Sequence, residues 1–141
     1  MISGVATAIK LSKPSVKVIG VEPELAADAQ ASLRAGKIVQ FPAGEVSQTI
    51  ADGLRTQSIG PINFEHMRRY VDDIVTVSED EIREAVRLLA ENHDTVAEPS
   101  GAVAVAGFLF HGDQLPQTKL NVAIISGGNI DPNMLEALRR G

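Results

Sequence analysis

The chain has 141 residues, a net charge of −5 at neutral pH and no cysteine. That length suits one domain with a real core rather than two, and the missing thiols exclude disulfides, cysteine nucleophiles and thiolate metal sites. The acidic balance, with no basic run longer than the Arg68-Arg69 and Arg139-Arg140 pairs, argues against nucleic acid as a main partner.

Ser3–Leu11 reads as a short helix with Val5, Ala8 and Ile9 on one side, stopped before Pro14. Val16–Val21 reads as a strand ended by Glu22-Pro23. A helix is expected from about Glu24 to Ala35, because Leu25, Ala29 and Leu33 share one face and Gly36 suits its end. Ile38–Phe41 is a short extended piece, and Pro42–Leu54 is the least regular stretch. Pro61–Tyr70 is helical, with Pro61 in the first position and Phe64, Met67 and Val71 on one face.

Ile74–Val77 is a strand. Ser78-Glu79-Asp80-Glu81 makes a capping box, and the helix behind it carries the stripe Ile82, Ala85, Val86, Leu89 to about Asn92. Thr95–Ala97 reads as a short strand ending at Glu98-Pro99-Ser100-Gly101. Ala102–Phe110 is apolar nearly all round and should be a buried helix. Asp113–Thr118 is loop. In Asn121–Asp131, the apolar run Val122–Ile125 suits a buried parallel strand, Ser126-Gly127-Gly128-Asn129 turns the chain, and Asp131-Pro132 caps and starts a last helix, Met134–Arg139.

Strands alternate with helices, and the aromatic content is low (no Trp, one Tyr, four Phe), so the core must be aliphatic. Both features predict an α/β domain with a three-layer, doubly wound, mainly parallel sheet over residues 1–141. No segment reads as a leader or as a membrane span, so cytoplasm is the default expectation. Several strands end in Glu-Pro or Ser-Gly-Gly. In a parallel sheet those ends share one edge, where ligands sit. His66, His93 and His111 share no spacing suited to a metal or an acid–base pair, and each is expected at a helix surface or end. Ser100 has no evident His–Asp partners for nucleophilic work.

In this order, the chain carries Ile2-Ser3-Gly4-Val5-Ala6, Val18-Ile19-Gly20-Val21-Glu22-Pro23, Thr49-Ile50-Ala51-Asp52-Gly53, Val71-Asp72-Asp73-Ile74-Val75-Thr76-Val77, Glu98-Pro99-Ser100-Gly101-Ala102 and Ser126-Gly127-Gly128-Asn129. Through these motifs it resembles the C-terminal part of the threonine dehydratase and serine racemase family. Those are pyridoxal-phosphate enzymes of fold type II, tryptophan-synthase-β-like, and this part is their flavodoxin-like half. The resemblance runs from Ile2 to about Asp131.

It implies a hydroxy amino acid substrate, deaminated to a 2-oxo acid and ammonia. It implies that Ser126, with Gly127 beside it, faces the cofactor's pyridine nitrogen, that the Gly53 backbone lies against the cofactor, and that Glu98 lies close to the ring. A neutral hydroxyl does not hold the pyridine nitrogen protonated, which suits β-elimination. In the branch that binds a divalent cation, the ligands would be Glu22, Asp28 and the Ala26 carbonyl, an oxygen set suited to Mg²⁺, Mn²⁺ or Ca²⁺. The family's phosphate-binding glycine run lies just before the position of Ile2, and its Schiff-base lysine lies earlier still. None of Lys10, Lys13, Lys17, Lys37 or Lys119 falls in a motif that resembles it, and Lys10, Lys13 and Lys17 read as solvated charges. No catalytic residue is therefore assigned, and the chain by itself is expected to be inactive. It would act as a homo-oligomer or with a complementing chain. The alternative is a free-standing, non-catalytic binding or interaction module.

Overall fold

β1 (Ile19–Pro23) and β2 (Asp73–Val77) lie side by side in parallel, with Ile19 opposite Asp73 and Pro23 opposite Val77. The computed structural model describes residues 1–92 and 95–140, so the reading of His93 lies outside the described residues. The helices are α1 (Ile2–Ser12), α2 (Asp28–Ala35), α3 (Ala43–Val46), α4 (Pro61–Tyr70), α5 (Glu79–Asn92), α6 (Pro99–Phe110) and α7 (Pro132–Arg140). Short 3₁₀ turns occupy Glu24–Ala26 and Asp52–Leu54.

Alternation along the strands sends side chains to two faces, and each face has its own helices. Ile74 packs with Ala29 of α2, Met67 of α4 and Ile2 of α1. Val77 and Val21 pack with Val86 of α5 and with Ala102 and Ala106 of α6. The result is helix, sheet, helix, in an α/β architecture with a parallel sheet. The core is aliphatic, and its largest fully buried apolar side chains include Ile82, Val77 and Val86.

Local chemistry explains most boundaries. Ser78 and Glu81 form both bonds of the capping box: the Ser78 N–H donates to Glu81 Oε2 at 2.7 Å and the Glu81 N–H donates to Ser78 Oγ at 3.3 Å. Gly36 closes α2 in the left-handed conformation at φ 66°. Asp131 caps α7 by accepting the N–H groups of Asn133 and Met134 at 2.8 and 3.1 Å. The helix expected over Glu24–Ala35 breaks in two at Ala27, whose backbone leaves the helical region (φ −95°, ψ 41°). The first strand starts at Ile19 instead of Val16, because the Val16 N–H turns back to the Lys13 carbonyl.

Three expected extended pieces do not join the sheet. In Ile38–Phe41, the Phe41 N–H donates to the Gln57 carbonyl at 2.8 Å, outside either strand. In Thr95–Ala97, the Thr95 N–H is taken by the Leu89 carbonyl near the end of α5. Asn121–Ser126 has the composition of a buried strand, yet Val122, Ile124 and Ile125 are 80%, 43% and 38% exposed. Among the described residues a single backbone rung, Glu98 N–H to Gly127 O at 3.1 Å, follows just past the ends of these last two stretches. A parallel strand needs a continuous ladder with a neighbour, and one rung does not make one.

Lys10 departs from the expectation of a solvated charge, because its side chain is only 15% exposed; Lys17 is 55% exposed and solvated as expected, and both bind Asp72, at 2.6 and 2.8 Å. Asp72 also accepts the Val18 N–H at 2.8 Å, tying the entry of β1 to that of β2. Burial works against its charge. The hydrogen bonds from Lys10, Lys17 and the Val18 amide outweigh that and hold the carboxyl down at about 2.

Candidate cofactor edge

The carboxyl ends of β1 and β2 point to one edge, and the connections leaving that edge carry the residues singled out from the motifs. The turn before the 3₁₀ segment Asp52–Leu54 is gripped from several directions. Glu79, at the start of α5, accepts the Ile50 N–H at 2.7 Å. Arg55 clasps the Thr49 carbonyl through Nε and a terminal nitrogen at 2.9 and 2.7 Å. Gly53 itself is exposed, and its N–H is shared between Asp52 Oδ1 at 2.8 Å and Ser100 Oγ at 2.9 Å.

Pro99 sits in the first turn of α6, where its missing N–H costs nothing. Glu98, just before it, binds the Ser126–Asn129 turn twice. Its N–H donates to Gly127 O at 3.1 Å, and its Oε2 accepts the Asn129 N–H at 3.0 Å. Two glycines make this approach possible. A Cβ on Gly101 would lie 2.3 Å from Gly127 O, and one on Gly127 would lie 2.2 Å from Glu98 Oε1. The start of α6 thus gathers Gly53 on one side and the Ser126 turn on the other. Ser126 is exposed, and no group among the described residues takes its hydroxyl.

A second pair of residues sits at the carboxyl end of β1. Glu22 accepts the N–H groups of Ala29 and Gln30 at 3.2 and 2.8 Å, capping α2 from outside. Burial, with Asp28 nearby, pushes the Glu22 carboxyl up to about 7 against the pull of those two amides. Asp28 is only 1% exposed, is likewise raised by burial, and has a buried Oδ2 with no partner. Ala26 is buried at the end of the 3₁₀ turn between them. Among the described residues no three His, Cys, Asp or Glu side chains gather as a metal cluster.

The histidines stand apart from both places. His66 Nδ1 lies 2.9 Å from Thr7 Oγ1 on the α1–α4 face. His111, at the end of α6, is 3.1 Å from Glu81 Oε2. Lys10 and Lys17 bind Asp72 at the amino edge of the sheet, opposite this site. The sequence reading missed Glu79 and Arg55 as supports of the Thr49–Gly53 turn, and read Ser100 only as a failed nucleophile. For Ser100 a signal was present: a small hydroxyl at the start of a helix seeks a nearby backbone amide.

An α/β domain whose parallel sheet presents such glycine- and serine-lined turns belongs to a known class. The family of pyridoxal-phosphate dependent enzymes matches residues 1–127, and the chain belongs to that family. Within it, the chain is 44% identical over 139 residues to the L-threonine ammonia-lyase of Thermotoga maritima, covering 98% of this chain and 33% of that protein. It is 44% identical over 135 residues to the serine racemase of Arabidopsis thaliana, covering 93% of this chain and 40% of that protein. The crystal structure of the T.th. threonine deaminase superposes with a TM-score of 0.86 at 47% identity, covering 92% of this chain and 46% of that one. The chain therefore spans between a third and a half of the length of these relatives.

Proposed function

We propose that this chain forms the ring-holding edge of a pyridoxal-phosphate-dependent ammonia-lyase that converts L-threonine or L-serine to a 2-oxo acid and ammonia. The observation that carries the reading is the free Ser126 hydroxyl, on a turn that Glu98 fixes to the same helix start that holds Gly53. When bound, the cofactor supplies an electron sink for the substrate carbanion. This chain's part is to position it. Ser126 would help hold the ring by donating a hydrogen bond from its hydroxyl to the pyridine nitrogen, and a neutral donor there would moderate the sink. The exposed Gly53 backbone, with no side chain in the way, would lie against the cofactor, with Glu98 and Gly127 bounding the edge near the ring.

A divalent cation of the Mg²⁺, Mn²⁺ or Ca²⁺ type fits beside Glu22, Asp28 and the Ala26 carbonyl. The support for it is the partnerless, buried Asp28 Oδ2, an oxygen that a hard cation would satisfy; both Glu22 oxygens already accept the Ala29 and Gln30 amides. None of the motifs at the cofactor edge carries a lysine. The chain alone therefore does not bind the cofactor covalently, and activity requires the lysine and phosphate loop of the whole protein.

The test is to mix the purified chain with pyridoxal phosphate, reduce with borohydride and weigh the product. Reversible uptake, with changes at the Ser126 and Gly53 amides and no stoichiometric adduct at one lysine, is expected. A defined adduct would overturn the assignment of the lysine to another part of the protein. Cooperative unfolding with no uptake at all would favour the non-catalytic binding module.

A further inference from the structure

We infer that Ser100 is a positioning residue for the ligand edge: its hydroxyl fixes the Gly53 backbone relative to α6, and so relative to the Ser126 turn. This rests on the cofactor reading above. Ser100 is 8% exposed, at the start of α6, and its Oγ accepts the Gly53 N–H at 2.9 Å while lying 3.3 Å from Asp52 Oδ1, to which it donates. The hydroxyl is therefore used both ways, which leaves it no freedom to rotate. Gly53 has a second acceptor, Asp52 Oδ1 at 2.8 Å, but that contact is between neighbours in sequence and travels with the turn. It cannot set where the turn sits on the domain. Glu79 and Arg55 hold the Thr49 and Ile50 end of the same turn, upstream of Gly53. Ser100 is thus the side chain that fastens the Gly53 end to α6.

The other side of the α6 start carries the ring-facing turn. Glu98, two residues before Ser100, bonds Gly127 and Asn129. One rigid helical turn therefore sets the spacing between the Gly53 backbone and the Ser126 hydroxyl. A planar ligand held between a backbone wall and a hydroxyl needs both placed together. Displacement of either by a fraction of an ångström weakens binding, because part of the interaction energy goes into realigning the wall. Absence of the Ser100 hydroxyl also leaves Gly53 free to follow Asp52 toward solvent.

The experiment compares the native chain with Ser100→Ala and with Ser100→Thr, which keeps the hydroxyl. Amide exchange and backbone amide shifts are followed during titration with pyridoxal phosphate. In Ser100→Ala the Gly53 amide should exchange about tenfold faster, the fold-change expected for loss of one typical hydrogen bond. Its affinity for pyridoxal phosphate should fall about tenfold, for the same lost bond, with the Gly53 response lost and the Ser126 response retained. Ser100→Thr should restore both. A merely structural role would shift Gly53 and Ser126 together and follow the loss of thermal stability. Native affinity and a native Gly53 response in Ser100→Ala, or unchanged Gly53 exchange, would overturn the inference. Absence of any response in the native chain is a different result: it removes the cofactor reading itself, and this inference with it.

Discussion

Glu98 Oε2 accepts the Asn129 N–H at 3.0 Å, and this bond, with the Glu98–Gly127 backbone rung, fastens the Ser126 turn to the start of α6. The bond joins residues 31 positions apart and lies near the surface. Glu98→Ala removes the acceptor but keeps the rung. A carboxylate–amide bond in a solvated place contributes about 1 kcal/mol, and urea unfolding should show a loss of that order. The Asn129 amide should lose its protection while the amides of α5 keep theirs. Unchanged protection at Asn129 would mean that the turn is ordered by something else.

Gly101→Ala tests the close approach from the other partner. The added Cβ would fall 2.3 Å from Gly127 O and 2.7 Å from Gly127 N, and backbone cannot swing aside as a side chain can. Either the turn lifts off α6 or the helix start shifts. A destabilisation of about 1–3 kcal/mol is expected for such overpacking, together with loss of pyridoxal phosphate uptake. Gly44→Ala, where the new Cβ meets nothing within 4 Å, is the control; it should leave uptake unchanged and, lying in α3, should raise stability by up to about 1 kcal/mol instead of lowering it.

The Lys10–Asp72–Lys17 cluster makes a prediction about acid. The Asp72 carboxyl is held down at about 2 in the folded chain against an ordinary 3.8, so its stabilising effect is complete above about pH 4. It is lost as pH falls from there through 2. With solvent screening discounted, the effect is of order 1 kcal/mol. Asp72→Asn should lower stability at pH 6 by that amount and by much less at pH 2, where the Asp72 charge is already half lost. Equal curves for the two proteins at pH 6 would show the cluster to be energetically idle.

What could be read from the residues was what neighbours in sequence decide. Ser78 and Glu81 are three apart and their capping box is present in full, Gly36 ends α2, and Asp131 caps α7. Parallel pairing of β1 and β2 followed from alternation of elements. The failures were long-range. Asp72 and Lys17 are 55 residues apart, and Ser100 and Gly53 are 47 apart, so no local pattern marks either pair. Asn121–Ser126 failed for the converse reason: its apolar run is that of a buried strand, but composition does not supply the neighbour whose ladder would make it one. The motifs singled out Gly53, Glu98 and Ser126, and the structure added the supports, Ser100, Glu79 and Arg55, that give the turns around them a fixed shape.

The pair at the end of β1 predicts a pH dependence of opposite sign. Glu22 is raised from 4.5 to about 7 by burial and by Asp28, so the folded chain binds its proton more tightly than the unfolded chain does. Without a divalent cation, the Glu22 contribution to stability is therefore fullest below about pH 4.5 and falls as pH rises through 7, by about 3 kcal/mol at most. Glu22→Gln removes that slope. A hard cation placed between Glu22 and Asp28 would do the same in the native chain, by making the charged form the favoured one. Millimolar Ca²⁺ or Mn²⁺ should then raise the melting temperature at pH 7.5 and do little at pH 5, and Glu22→Gln should abolish most of the gain. A cation effect equal at both pH values, or equal in Glu22→Gln, would place the ion elsewhere and leave Asp28 Oδ2 as an unpaired oxygen in the native fold.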